Sequence, residues 1–248
     1  MRKSICRWSW LPLLLGLSTS VTANDFAEPY QLPEQPALPA LLPLIPADYF
    51  PVALASGDLN RDGQDDYALV IQQWPAADPQ QPGNDAPAPF PDDSDPTSGP
   101  DAWRRDLLIL LGNKSGEPTV QGRYLGFIPD RDQAANDDPL SYIAITEGRL
   151  EARFRHSIGT MQRQREDTTY RFRLQPDQLL LLSHYNRHHI NRSTTLFEET
   201  TLDLDQGTLT RTSGSMSNPR HKKTQQDFRV TAGWTPAMIT DPLRFVPE

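Results

Sequence analysis

Apolar and polar positions alternate with a period of two along much of the second half of the chain, and that pattern predicts strands. Leu150, Ala152, Phe154 and His156 alternate with Glu151, Arg153 and Arg155, the spacing of a strand with one face in a core and one in water. Tyr170, Phe172 and Leu174 do the same against Arg171 and Arg173, and turn signals at Glu147-Gly148 and Pro176-Asp177 separate these runs from their neighbours. The unbroken leucines of 179–182 read as a central strand. Further strands are predicted over 141–146, 194–204 and 208–212, and across Phe228, Val230, Ala232 and Trp234. No helical period appears beyond the first 23 residues. Strand following strand with turns between them predicts an all-β fold of one or more antiparallel sheets, arranged as a sandwich or an open barrel.

The first half is organised differently. A strand over 50–55 leads through Ser56-Gly57 into an acidic loop, and the apolar run 67–71 follows as a second strand. The run 107–111 and the turn Gly112-Asn113-Lys114-Ser115-Gly116 predict a second hairpin. Between the hairpins, residues 75–102 hold a proline every few positions among acids and small side chains. That composition buries too little apolar surface to offset the entropy of ordering and predicts a disordered insertion. Proline also recurs through 28–46, which predicts an extended linker or strap, its last part held down by Leu41, Leu42, Leu44 and Ile45. The expected organisation is an export signal over 1–23, a Pro-rich linker over 24–46, paired hairpins over 47–128, and an antiparallel β region over 129–248 that forms one domain with the part before it.

Composition places the chain in a compartment. Arg2, Lys3 and Arg7 precede a short apolar run over 8–17, and Val21-Thr22-Ala23 supplies small residues where a signal peptidase cuts, so a periplasmic or secreted location is expected. The apolar run is too short to span a bilayer, and no later segment is long and apolar enough to do so. Cleavage before Asn24 removes Cys6, the single cysteine of the 248 residues, so stability must come from an ordinary core without disulfides. Net charge moves from −8 to −11. Residues 24–148 carry 6 basic and 21 acidic side chains and residues 149–248 carry 15 and 11, a division that fits cation binding better than nucleic-acid binding. The basic excess falls on alternate strand positions, the pattern of a solvated sheet face.

The acidic loop carries the clearest chemistry. In Asp58-Leu59-Asn60-Arg61-Asp62-Gly63-Gln64-Asp65-Asp66, side-chain oxygens occupy the first, third, fifth and ninth positions and glycine the sixth, so that oxygen ligands can converge on one hard cation around a sharp turn. An EF-hand would need an acid at the twelfth position and a helix beyond it; here the twelfth is Leu69, within a predicted strand. The strand-loop-strand setting resembles the FG-GAP or VCBS-type repeat of alpha-integrin propellers and many exported bacterial proteins. The resemblance covers roughly 50–112. It implies calcium held by the side chains of Asp58, Asn60, Asp62 and Asp66 with the backbone carbonyl of Gln64, and Asp65 turned away. The chain departs from that family in holding one full copy of the unit, which argues against a propeller. Asp203-Leu204-Asp205-Gln206-Gly207 reads as a hairpin turn, and Ala134 breaks the spacing of the acids near 130–138. The cadence from Thr168 to Gly207 is similar to the C-terminal part of exported bacterial proteins, which implies fold and location only.

Other chemistry is mostly missing from the pattern. There is no Gly-x-Ser-x-Gly elbow, no Ser-x-x-Lys pair, no His-Glu-x-x-His, and no phosphate or dinucleotide glycine loop. His184, His188 and His189 cluster, but in a strand His184 and His188 stand about 13 Å apart, too far to share an ion. Tyr170, Phe172, Tyr185 and Trp234 suit a core better than a binding face. The expected function is therefore an exported calcium-binding β-protein, non-enzymatic, acting as a structural or interaction module of a bacterial envelope toward a protein or glycan partner. A periplasmic hydrolase or carbohydrate-active protein with an acidic pocket is one alternative. An inhibitor or immunity-like binder that uses the Pro-rich arm is another.

Overall fold

The computed structural model describes residues 37–73, 104–130, 138–158, 163–229 and 233–247. The expected signal, most of the linker, the insertion 75–102 and the acidic stretch 131–137 lie outside these. Within them the fold is all-β, with two antiparallel sheets that do not close into a barrel. Sheet 1 is a meander of β1 (Tyr49–Gly57), β2 (Asp66–Gln73), β3 (Arg105–Leu111) and β4 (Thr119–Ile128). Sheet 2 continues the same up-and-down path through β5 (Leu140–Thr146), β6 (Arg149–Ile158), β7 (Gln164–Leu174), β8 (Leu180–Asn191), β9 (Leu196–Asp203), β10 (Thr208–Ser215) and β11 (Asn218–Asp227), in that spatial order. The leucine-led strand β8 is the middle one of seven, as its unbroken apolar start predicts.

The sheets differ because their sequences do. Every residue of β3 is buried, and its two faces meet different partners. Leu107 and Ile109 join the core shared with sheet 2, while Leu108 and Leu110 join a second cluster with Leu54, Leu69, Ile71 and Leu41. Leu41 comes from the Pro-rich approach, which is wound into a short helix α1 (Leu38–Leu41) and a 3-10 turn (Leu42–Leu44) rather than extended. Prolines at the starts of both turns occupy helical positions where no donor is needed. Sheet 1 is thus a middle layer, which explains its non-alternating strands. Sheet 2 has one core face and one solvent face, which explains its alternation.

The two sheets are joined by Phe127. Around Arg105 and Asp106 the β3–β4 register slips, with Arg105 opposite Ile128 and Asp106 opposite Leu125, and Gly126 sits at φ +71° inside the bulge. The bulge turns Phe127 into sheet 2, where its ring meets Phe154, Tyr170 and Phe172 edge-on at 5.7, 5.6 and 5.3 Å. Arg105 makes a second tie. It donates from both terminal nitrogens to the Asp138 carboxylate at 2.8 and 2.7 Å, just ahead of β5, and from Nε to Gln72 at 3.0 Å.

The segment 233–247 straps across the core face of β7 and β8. Leu182 N–H donates to the Trp234 carbonyl, Tyr170 donates its hydroxyl to the Pro242 carbonyl at 2.6 Å, and Tyr185 donates to the Phe245 carbonyl at 2.9 Å. Sequence alternation at Phe228, Val230, Ala232 and Trp234 predicts a strand here; Phe228 and Trp234 lie outside any strand and pack onto the core, and 230–232 fall outside the described residues. The strand actually present is β11, whose polar run has no apolar alternation to announce it and which is held by its ladder to β10.

Candidate functional site

The loop 58–66 links β1 to β2, as its flanking strands predict. Its backbone turns at Arg61, φ +63°, and at Gly63, φ +82°, the second a conformation that glycine adopts without steric cost. Leu59 is buried in the shared core and anchors the loop from within. The polar side chains then organise the turn. The N–H of Asp62 donates to both Asp58 Oδ1 at 3.0 Å and Asn60 Oδ1 at 2.9 Å, so those two oxygens converge on one point. Gly63 N–H donates to Asp58 Oδ2, Gln64 N–H to Asp62 Oδ1, and the Asn60 amide to Asp62 Oδ2.

Asp66 is placed differently. It is fully buried, its Oδ2 accepts the N–H groups of Leu59 and Asn60 at 2.8 and 3.0 Å, and its Oδ1 accepts that of Gly112 at 2.9 Å. Burial nevertheless pushes its carboxyl above the usual range, against the pull of those three donors and aided by the nearby Asp62 charge. Asp65 is exposed. Among the described residues no basic side chain forms an ion pair with Asp58, Asp62, Asp65 or Asp66.

The loop and its foot touch two other turns and one strand. Asp66 ties it to the β3–β4 turn through Gly112, where a Cβ would lie 2.2 Å from the Asp65 carbonyl oxygen. Arg61 reaches over to sheet 2 and donates to the Glu147 carbonyl at 3.0 Å in the β5–β6 turn, passing so close to Gly148 that a Cβ there would meet Arg61 Nε at 2.4 Å. At the foot of the loop, Gly57 approaches the Ile145 backbone of β5. The loop is therefore a joint between sheet 1 and the first hairpin of sheet 2.

Of the five residues expected to hold calcium, the fold brings Asp58, Asn60 and Asp62 together at the turn, puts Gln64 next to them, and sets Asp66 behind them in the core. Among the described residues no three His, Cys, Asp or Glu side chains are gathered so that they could hold a metal ion as they stand. The donor set still fits a hard cation. Each carboxylate oxygen has about two acceptor sites, and Asp58 and Asn60 use one site on each bonded oxygen.

The histidines follow strand parity. His184 and His188 share the solvent face of β8, and His189 lies on the opposite side beside Glu166 of β7. Burial, with Arg171 adding to it, lowers the His184 pKa, which favours the neutral ring. Sequence reading missed the pairing of His189 with Glu166, since it depends on cross-strand register. The consecutive acids of β7 also part company. Glu166 faces the core side and accepts from Arg187 at 2.5 Å, whereas Asp167 faces outward and accepts from Arg155 and Arg165, both at 2.9 Å. Tyr170, Phe172 and Tyr185 are core residues, as expected. A shallow cup of about 490 Å³ lies at the distal end of sheet 2, where Phe197 stands edge-on to His188 and His221.

Among the described residues no helix is long and apolar enough to cross a membrane. Comparison with protein-family models, with curated proteins and with solved structures finds no match.

Proposed function

We propose that the protein is an exported calcium-binding β-module of a bacterial envelope, in which the ion at Asp58, Asn60, Asp62, Asp66 and the Gln64 carbonyl sets the joint between the two sheets. One observation carries this reading. Four carboxylates lie within nine residues, one of them fully buried, and among the described residues no basic side chain is paired with any of them. Such a group of like charges is unfavourable until a cation neutralises it, and oxygen-only donors around a glycine turn select a hard one. The role is mechanical. Calcium would stiffen the turn from which Arg61 reaches the β5–β6 hairpin and Asp66 reaches Gly112, and so hold the sheets in one relative position for a surface partner.

The test is calorimetric titration of residues 24–248 with calcium, followed by thermal melting with and without the ion. An extracellular module binds at about 10⁻⁴–10⁻³ M, so saturation at about 100 times Kd adds about 2.7 kcal/mol of stability. The expected result is one equivalent bound and a melting temperature higher by several degrees in calcium. Asp62→Ala should abolish that rise and leave melting in chelator unchanged. Equal melting of wild type and variant in calcium overturns the reading.

A further inference from the structure

Beyond the aromatic layer on the core side of sheet 2, the ladder sets four chemistry-bearing residues in a line. His156 of β6 is paired with Glu166 of β7, Glu166 with His189 of β8, and His189 with Glu198 of β9. Directly paired residues project to one face, with Cα atoms about 4.5–5.5 Å apart. Glu166 shares its face with Thr168 and Tyr170, two and four residues on, which places the row next to the core. No sequence spacing announces it, because the residues come from four strands.

Glu166 is the centre of the row and its side chain is 1% exposed. Its Oε2 accepts from Arg187 at 2.5 Å and lies 3.6 Å from His189 Nδ1. Its Oε1 is buried with no hydrogen-bond partner, and Thr168 Oγ1 and Arg187 Nε beside it are in the same state. A buried acceptor left without a partner costs about 1–3 kcal/mol. Three such atoms side by side mark a place built to receive something.

We propose that His156, Glu166 and His189 form a site for a borderline divalent transition metal of the zinc class. Two imidazoles and a carboxylate are a common zinc donor set. Arg187 supplies the outer support, since it holds the carboxylate by Oε2 and leaves Oε1 for the metal. The two histidines flank β7 with Cα atoms about 9–11 Å apart, twice the strand-pair spacing. Each has two rotatable side-chain bonds, and metal binding would require both rings to turn toward Glu166 about those bonds. The three side chains are not gathered at coordinating distance as they stand, so metal binding draws them in. Access is from the His189 side, where that side chain is 28% exposed. The site is independent of the loop 58–66 and differs from it in softness, as imidazole nitrogen suits zinc and oxygen-only donors suit calcium.

The experiment uses the full mature chain without an affinity tag, in saturating calcium so that the loop is filled, and cobalt(II) as the probe with zinc as competitor. The expected result is a visible d–d absorption saturating near one equivalent and displaced by zinc. His156→Gln and His189→Gln keep the Glu166–Arg187 pair, and each should weaken cobalt binding at least about 10-fold, the scale seen for even outer-shell changes at metal sites. His184→Gln and His188→Gln should leave binding unchanged. Imidazole resonances of the unaltered protein give a second measurement that does not depend on the variants folding: zinc should shift those of His156 and His189 and spare those of His184, His188 and His221. Absence of the absorption up to millimolar cobalt overturns the proposal. So does an absorption that survives both His156→Gln and His189→Gln, or zinc shifts confined to the other histidines.

Discussion

Individual glycines in and around the loop do different work, and substitution separates them. Gly63 has open space around a would-be Cβ but a φ of +82°, so Gly63→Ala should cost about 1–2 kcal/mol through the left-handed backbone alone. Gly112 faces the opposite problem. A Cβ there would sit 2.2 Å from the Asp65 carbonyl oxygen, which is backbone and cannot swing aside. The β3–β4 turn would have to move away and loosen the Gly112 N–H bond to Asp66. Gly112→Ala should therefore destabilise more than Gly63→Ala, by over about 2 kcal/mol, as read from urea midpoints measured in chelator. The reverse order would mean that the loop is not clamped by the neighbouring turn. Residue parity in β7 follows the same logic of place over type. Burial works against ionisation of Asp167, but hydrogen bonds from Arg155 and Arg165 and their charges outweigh it and hold its carboxyl below the usual range. Glu166, one residue earlier, points to the other face and meets Arg187 and His189.

Among elements, β4 does the most to make the two sheets one body. It spends much of its length half exposed at the edge of sheet 1 and then, past Gly126, delivers Phe127 and Ile128 into the core. Phe127 touches three aromatic rings from β6 and β7. Phe127→Ala should cost about 3–5 kcal/mol, the range for removing a buried aromatic, and lower the urea midpoint in proportion. A loss below about 1 kcal/mol would mean that the sheets are held mainly by the Arg105–Asp138 pair and by the C-terminal strap. β11 shows the opposite case, an element with no apolar pattern that is a strand because β10 offers it hydrogen bonds. Its side chains Arg220, Lys222 and Lys223 are exposed, and charge of this kind discourages a sheet edge from pairing with other chains.

At the scale of the molecule, the C-terminal strap closes the core over two tyrosines, and that has a consequence at high pH. Burial pushes the Tyr170 and Tyr185 phenols well above the ordinary tyrosine value of 10.0, and for Tyr170 the neighbouring Tyr185 adds to the effect. A group whose pKa is raised by folding contributes its stability in full below the unfolded pKa and loses it as pH rises through the folded one. Stability should thus hold up to about pH 10, the unperturbed tyrosine value, and fall steadily above it. Tyr185→Phe removes the hydroxyl that donates to the Phe245 carbonyl and should cost about 1 kcal/mol at neutral pH, with a shallower decline above pH 10. A decline of equal slope in both proteins would show that Tyr185 is not part of it.

Much of this was legible from the chain alone. Period-two alternation in β6 and β7, the turns at Glu147-Gly148 and 204–207, and the strand-loop-strand setting of Asp58–Asp66 all rest on local rules of backbone geometry, so no tertiary information was needed. The all-β class follows from the same rules. What depends on pairing at a distance was decided by the tertiary structure. Only the cross-strand ladder could line up His156, Glu166 and His189, because a slip of one residue would send each to the other face. Only packing could bury both faces of β3, wind the Pro-rich approach into α1 over Leu108 and Leu110, and bulge β4 so that Phe127 enters a core made by another sheet. Local sequence determines which backbone states are cheap, whereas burial and register are properties of segments far apart in the chain and are set when those segments meet.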